Sequence, residues 1–292
     1  MRANLAAFSA VGLTIVLWAS AFPSIRAGLR GYSPAHVGLL RYVVASAVLA
    51  VYALVTRMPL PHWRDVPGIA LTGLLGITLY NVALNSGEVN VSSGVASFIV
   101  ASAPVFVALE ATAFLGEHLR AVGWLGIGLS FAGVAVIGLG MDGGLRLNSY
   151  ALLVLAAATL QSLYFVGQKP FLRRYSPVQY TSYAIWAGTI FLLIFSPGVV
   201  LQVQLAPLPA TLAVAYLGVF PGALAYVSWA FALSRLPTSI AGSFLYLVPM
   251  LATGIAWVWL GEFLPPIALA GGAVVLAGVI LVNAKGRVPP AR

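Results

Sequence analysis

The chain has 292 residues, 61% of them hydrophobic and only 7% charged, against roughly 25% charged in a soluble domain, so a soluble globular protein is excluded. A formal net charge of +9 would point to nucleic acid in a soluble chain; here the cations sit in short loops between apolar runs and report topology. Apolar stretches of about 20 residues, each able to cross a bilayer of about 30 Å, recur from end to end. They predict ten membrane-spanning helices, at 4–28, 34–56, 66–88, 92–115, 121–140, 148–172, 177–197, 208–234, 238–260 and 265–284.

The first span combines Arg2, a long apolar run and an Ala19-Ser20-Ala21 triplet, the pattern of a cleaved signal peptide. Its run is about twice a usual signal core, and it has a counterpart later in the chain, so it reads as a retained helix. It carries Trp18 at mid-span and Arg26 near its end. The second span opens on Ser33-Pro34 and holds Arg41 inside. On the third, Thr78, Asn81, Asn85 and Glu88 recur at three- and four-residue steps and share one helical face, with Gly73 and Tyr80 beside them. The fourth offers Ser93, Ser97, Pro104 and Glu110 and ends in Leu115-Gly116-Glu117. The fifth carries small residues (Gly126/Ser130 and Gly128/Ala132) that fit close helix packing. Gln161, Tyr164 and Gln168 share a face of the sixth. Gly218, Tyr226 and Trp229 lie in the eighth. The ninth brings Ser239, Ser243, Tyr246 and Pro249 and ends in Leu260-Gly261-Glu262.

Amides and hydroxyls facing lipid would be unfavourable, so these polar faces are expected to point inward. Asn81 and Gln161 each carry a donor and an acceptor, which suits a zwitterion. Together with Ser97, Ser243 and the rings of Trp18, Tyr80, Tyr164, Tyr226, Trp229 and Tyr246 they form a candidate substrate site for an aromatic or otherwise bulky amphiphile. Charged groups inside a bilayer are costly and usually functional, which makes Arg41, Glu88 and Glu110 candidates for coupling or charge pairing. Mid-span prolines bend helices, so Pro104 and Pro249, with Gly73 and Gly218, are the candidate gating residues. Trp63 and Trp124 read as interface anchors.

The chain repeats itself. At a shift of 145 residues Pro104 falls on Pro249, Leu115-Gly116-Glu117 on Leu260-Gly261-Glu262, Gly126 on Gly271 and Gly133 on Gly278; at 143, Tyr32-Ser33-Pro34 falls on Tyr175-Ser176-Pro177 and Arg26 on Lys169. Two five-helix halves, 1–143 and 144–292, follow. Five is odd, so the second half enters the membrane inverted, and the two enclose a central cavity. Eleven of the fifteen cations fall in the even-numbered loops and termini; Arg26, Arg30, Arg41 and Arg146 do not. The positive-inside rule then places both termini in the cytoplasm. Glu117 faces that side with His118, and Glu262 faces the other, as loop caps or gates. The halves have also diverged: Ala184 stands opposite Arg41 and Gln161 opposite Trp18.

This succession resembles the drug/metabolite transporter superfamily, specifically its EamA-type ten-helix members. The marks are Trp18 with Arg26, Ser33-Pro34 with Arg41, Ala83-Leu84, the Ala101-Ser102-Ala103-Pro104 break, Leu115-Gly116-Glu117, and Gly126 with Gly133, most of them repeated in the second half. The resemblance covers nearly the whole chain. It implies a secondary exporter or exchanger of small metabolites, most like the aromatic amino acid and metabolite exporters, in the inner or plasma membrane.

Other classes fit poorly. The histidines stand at span ends without metal-ligand spacing, the only aspartates, Asp65 and Asp142, lie in loops, and neither a serine-protease elbow nor a phosphate-binding loop occurs. The expectation is therefore an all-α carrier, not an enzyme, with no cofactor, no metal and no ATPase subunit, acting on a small molecule as a monomer in lipid. Facilitated export is favoured over proton-coupled antiport, with a channel or a lipid flippase as remoter readings.

Overall fold

The computed structural model describes residues 2–115, 119–140, 148–233, 235–236 and 244–286. Ser243, with Ser239, Glu117, His118, Asp142 and Arg146, lies outside the described residues. Within them the ordered elements are all helices. Eight segments are long and apolar enough to cross a membrane, and two shorter apolar helices, Ala121–Ile137 and Phe244–Leu260, complete the ten predicted positions.

In chain order the helices are α1 (Arg2–Gly28), α2 (Pro34–Val55), α3 (Val66–Gly73), α4 (Tyr80–Gly87), α5 (Ser93–Val100), α6 (Ala103–Leu115), α7 (Ala121–Gly140), α8 (Ser149–Gly167), α9 (Pro177–Leu192), α10 (Val199–Leu205), α11 (Leu208–Val219), α12 (Ala225–Leu233), α13 (Val248–Leu260) and α14 (Pro266–Leu281). The third span is α3 and α4 joined by a π-helical stretch, Leu74–Leu79; the eighth is α11 and α12 joined by another, Phe220–Leu224. These stretches stand at repeat-equivalent positions, so the irregularity belongs to the fold.

The packing has two-fold character. α1 lies against α12 and α13, as its equivalent α8 lies against α4 and α6; α11 packs on α2 as α3 packs on α9. Residues that touch their own repeat equivalents mark the axis: the hydroxyls of Ser46 and Thr189, related by the 143-residue shift, are 2.8 Å apart. α7 and α14 cross on glycines. A Cβ on Gly126 would stand 2.8 Å from the Gly278 carbonyl, and one on Gly133 would stand 2.7 Å from the Gly271 carbonyl. Gly126 and Ser130 thus take the packing role read from the sequence. Gly128 does not; nothing lies within 4 Å of its Cβ position.

The repeated Tyr-Ser-Pro triplet has a local logic. Ser33 caps α2 by accepting the His36 N–H, and Ser176 caps α9 within a capping box closed by Gln179; each proline fills the first turn, where a missing N–H costs nothing. Each tyrosine then ties its helix to the other half. Tyr32 pairs with Thr211 at the start of α11, and Tyr175 donates to Asp65 at the start of α3. We refer to these two ends of the bundle as the Arg26 end and the Asp65 end.

Three sequence expectations need correction. Pro104 and Pro249 do not kink helix interiors: a turn at Ala101-Ser102 ends α5 first, and a 3-10 turn, Phe244–Leu247, precedes α13. Each proline therefore opens a helix, in the first turn that tolerates it. The seventh span stops near Phe195, and the short helix α10 fills what reads as a loop. Its exposed Val200, Leu201 and Leu205 conceal it in an apolar sequence.

Candidate functional site

The inward stripe of the third span is buried along its whole length: Thr78, Asn81, Asn85 and Glu88 are all essentially inaccessible. Thr78 donates to the Gly188 carbonyl across the half boundary. Asn81 accepts from the Arg41 guanidinium at 3.1 Å and donates to the Tyr42 hydroxyl and the Ile77 carbonyl. Arg41 is 5% exposed and pairs with no carboxylate among the described residues; its Nε is buried without a partner. The guanidinium sits 5.1 Å from the centre of the Tyr42 ring, with Tyr80 and Tyr226 within electrostatic reach. Gln161 lies beside the Tyr80 hydroxyl.

From Tyr226 the site turns aromatic. Trp18 packs 5.5 Å from the Tyr226 ring, edge-on, and 5.5 Å from Trp229. The structure thus gathers Trp18, Tyr80, Asn81, Gln161, Tyr226 and Trp229 with Arg41. Tyr164 borders the group, seated on Gly76, where a Cβ would come within 2.4 Å of its ring. Two candidates stand apart. The Ser97 hydroxyl turns back to the Gly94 carbonyl of its own helix. Tyr246 accepts from Asn283 on the stretch after α14.

The buried acids differ. Glu110 is 9% exposed and takes the Ser162 hydroxyl at 2.5 Å, which binds α6 to α8. Glu88 is 0% exposed and neither carboxylate oxygen has a hydrogen-bond partner; Arg26, Arg41 and Glu262 lie within electrostatic reach. Gly73 and Gly218 are contact points as their symmetry requires. A Cβ on Gly73 would meet the Ala184 carbonyl at 2.5 Å, and one on Gly218 the Arg41 carbonyl at 2.6 Å.

The Arg26 end holds a latch in which Glu262, read from the sequence as a loop cap or gate, meets Arg26. Arg26 Nε donates to Glu262 at 3.1 Å, and its NH1 donates to the Glu88 and Val89 carbonyls. The other Glu262 oxygen accepts the Ser93 N–H, so the carboxylate caps α5, whose Ser92 side chain does not. Four spans meet here. Gly261 makes the reach possible by ending α13 at φ 68°, a left-handed conformation in which glycine is unstrained. Gly261→Ala is expected to cost about 1–2 kcal/mol and to lower the thermal stability of the purified protein; an unchanged melting temperature would separate the turn from the latch. A cavity of about 370 Å³ opens beside it, lined by Arg26, Leu29, Tyr32, Pro34, Leu260 and Glu262 among others. Both residues of the latch have repeat equivalents in the sequence, Lys169 for Arg26 and Glu117 for Glu262.

At the Asp65 end, Asp65 receives the Tyr175 hydroxyl at 2.7 Å and Arg174 at 2.9 Å. The Tyr175 hydrogen bond, then Arg174, hold its carboxyl below the usual aspartate value against the opposing effect of burial. A depressed carboxyl contributes stability above its unfolded value and loses it as pH falls through the folded one. Stability measured by thermal unfolding is therefore expected to drop below the ordinary value of 3.8, and Asp65→Asn should flatten that part of the profile.

The EamA-like transporter family profile matches residues 5–139 and again 148–284. A Streptantibioticus cattleyicolor protein named "probable terminal-alkyne amino-acid exporter" is 46% identical over 94% of this chain and 93% of its own. A Bacillus subtilis protein named "uncharacterized transporter YdfC" is 41% identical over 94% and 89%. A solved crystal structure aligns with TM-score 0.62 and 20% identity over 96% of each chain, a likeness of fold alone.

Proposed function

This chain belongs to the EamA-like transporter family, and from that premise we propose that it exports amino acids with aromatic or otherwise unsaturated side chains, by alternating access about the pseudo-two-fold axis. The observation that carries the reading is the joined pair of environments at mid-span. Arg41, Asn81, Tyr80 and Gln161 present polar groups, and Tyr226 links them to the rings of Trp18 and Trp229. A ligand with one polar and one π-rich end satisfies both. The name of the Streptantibioticus relative supports the amino-acid part.

Eleven cations on one side favour cytoplasmic termini, so the Arg26 end faces outward and the Asp65 end inward, in the cell membrane. The paired π-helical stretches and the breaks before Pro104 and Pro249 supply the joints. Pro104→Ala and Pro249→Ala are expected to depress turnover more than binding; unchanged transport rates would remove the joints from the mechanism.

The decisive experiment is uptake by proteoliposomes of labelled tryptophan, phenylalanine, propargylglycine and alanine, preloaded or empty, with and without a pH gradient. Saturable flux favouring the unsaturated side chains and persisting without the gradient fits facilitated export. Equal flux of alanine would remove the side-chain preference. Strict dependence on the gradient favours the second reading, proton-coupled antiport, for which the unpartnered Glu88 is the motivating group.

A further inference from the structure

We propose that Arg41 anchors the carboxylate of the transported molecule. The inference rests on the amino-acid reading above and deepens it. A guanidinium has five N–H donors in a planar fork that matches a carboxylate. Here one donor meets Asn81 and Nε–H is buried with nothing to accept it. Burying a cation in a membrane protein without a counter-ion is costly, and no carboxylate pairs with Arg41 among the described residues. Glu88 is the acid on the same side of the site, and neither of its oxygens accepts a hydrogen bond, so the fork is not occupied from within.

Position and asymmetry point the same way. Arg41 is oriented by Asn81 and stacked toward Tyr42, both of which leave its remaining donors unmet. Its repeat equivalent is Ala184, so the symmetric scaffold carries this charge once, within electrostatic reach of Tyr226, which packs on Trp18. An unsymmetrical ligand with a single anionic end is what such a site orients. A purely structural cation in lipid would need its partners met inside the protein, and this one does not have them met.

The test reads ligand binding by the purified full chain as a saturable change in intrinsic tryptophan fluorescence, to which Trp18 and Trp229 beside the site contribute two of seven rings. The probes are phenylalanine, 3-phenylpropionate, which lacks the amine, and phenylethylamine, which lacks the carboxylate. The two acids are expected to bind wild type about 10- to 100-fold more tightly than the amine, the range of a hydrogen bond to a charged group. Arg41→Gln should erase that preference by weakening the two acids about 10- to 100-fold, and Arg41→Lys should keep part of it. Equal binding of acids and amine by wild type overturns the proposal without any variant, as does absence of acid binding or a preference that survives in Arg41→Gln. Phenylalanine flux without acid preference fails the anchor alone. Acid binding without amino-acid flux in proteoliposomes fails the substrate reading and leaves the anchor standing.

Discussion

Neutralising Glu262 is expected to open the Arg26 end of the bundle. The Glu262 carboxylate accepts from Arg26 and from the Ser93 N–H, and hydrogen bonds to charged groups contribute about 1.5–3 kcal/mol each. Arg26 and Glu262 retain 30% and 14% side-chain exposure, so solvent screening lowers the ion-pair share. A net change of about 1–3 kcal/mol still alters a two-state equilibrium roughly 5- to 150-fold. The absence of cysteine makes the measurement clean. A single cysteine replacing Ser97, buried on α5 behind the latch, should react with a membrane-impermeant maleimide faster in Glu262→Gln than in the parent. Arg26→Gln separates two roles of the carboxylate, because it removes the latch and spares the cap on α5. Acceleration in both variants identifies a gate. Acceleration in neither leaves Glu262 as a helix cap, and the latch would carry no part of the cycle.

The second large effect concerns Gly218 and Gly73. Adding a methyl group at either drives it into backbone, at 2.6 Å from the Arg41 carbonyl in one case and 2.5 Å from the Ala184 carbonyl in the other. Overpacking of this kind costs about 1–3 kcal/mol, so both alanine variants should melt earlier, by similar amounts. Their functional consequences should differ. Gly218→Ala displaces the segment of α2 that holds Arg41 against Asn81, while Gly73→Ala displaces its equivalent in α9, which carries no charge. Equilibrium binding of 3-phenylpropionate is therefore expected to weaken in Gly218→Ala and to hold in Gly73→Ala. Equal weakening would show that the glycines act only through global stability.

Much of this architecture is legible in the residues. Span positions follow from hydropathy, and the third-span stripe follows from side-chain periodicity, because a polar face in lipid has only one place to go. The Tyr-Ser-Pro triplets announce helix starts. What escaped has physical causes. The π-helical stretches leave no mark in composition, since one extra residue in a turn changes neither hydropathy nor propensity. α10 is hidden because its apolar side chains belong to a chain that is apolar throughout. The prolines were legible as irregularities and misleading as kinks, for a proline that opens a helix and one that bends it look alike until the preceding turn is seen. Of the candidate site, Trp18, Tyr80, Tyr226 and Trp229 converge with Asn81, Gln161 and Arg41, whereas Ser97 bonds within its own helix and Tyr246 pairs with Asn283. The latch needed three-dimensional proximity between Arg26 and Glu262, 236 positions apart.

The Ser46–Thr189 pair has a consequence for how substitutions are read. In a carrier that exchanges the roles of its halves, inward-open and outward-open states are related by the same axis on which these two hydroxyls meet. A contact on the axis is common to both states, so losing it moves both by equal amounts and changes the speed of interconversion or the overall stability. It cannot tilt the resting balance between the two. A contact off the axis that forms in one state alone, the role proposed for Arg26 with Glu262, would tilt that balance directly. Position relative to the axis thus sorts variants into those that alter pace and those that alter preference.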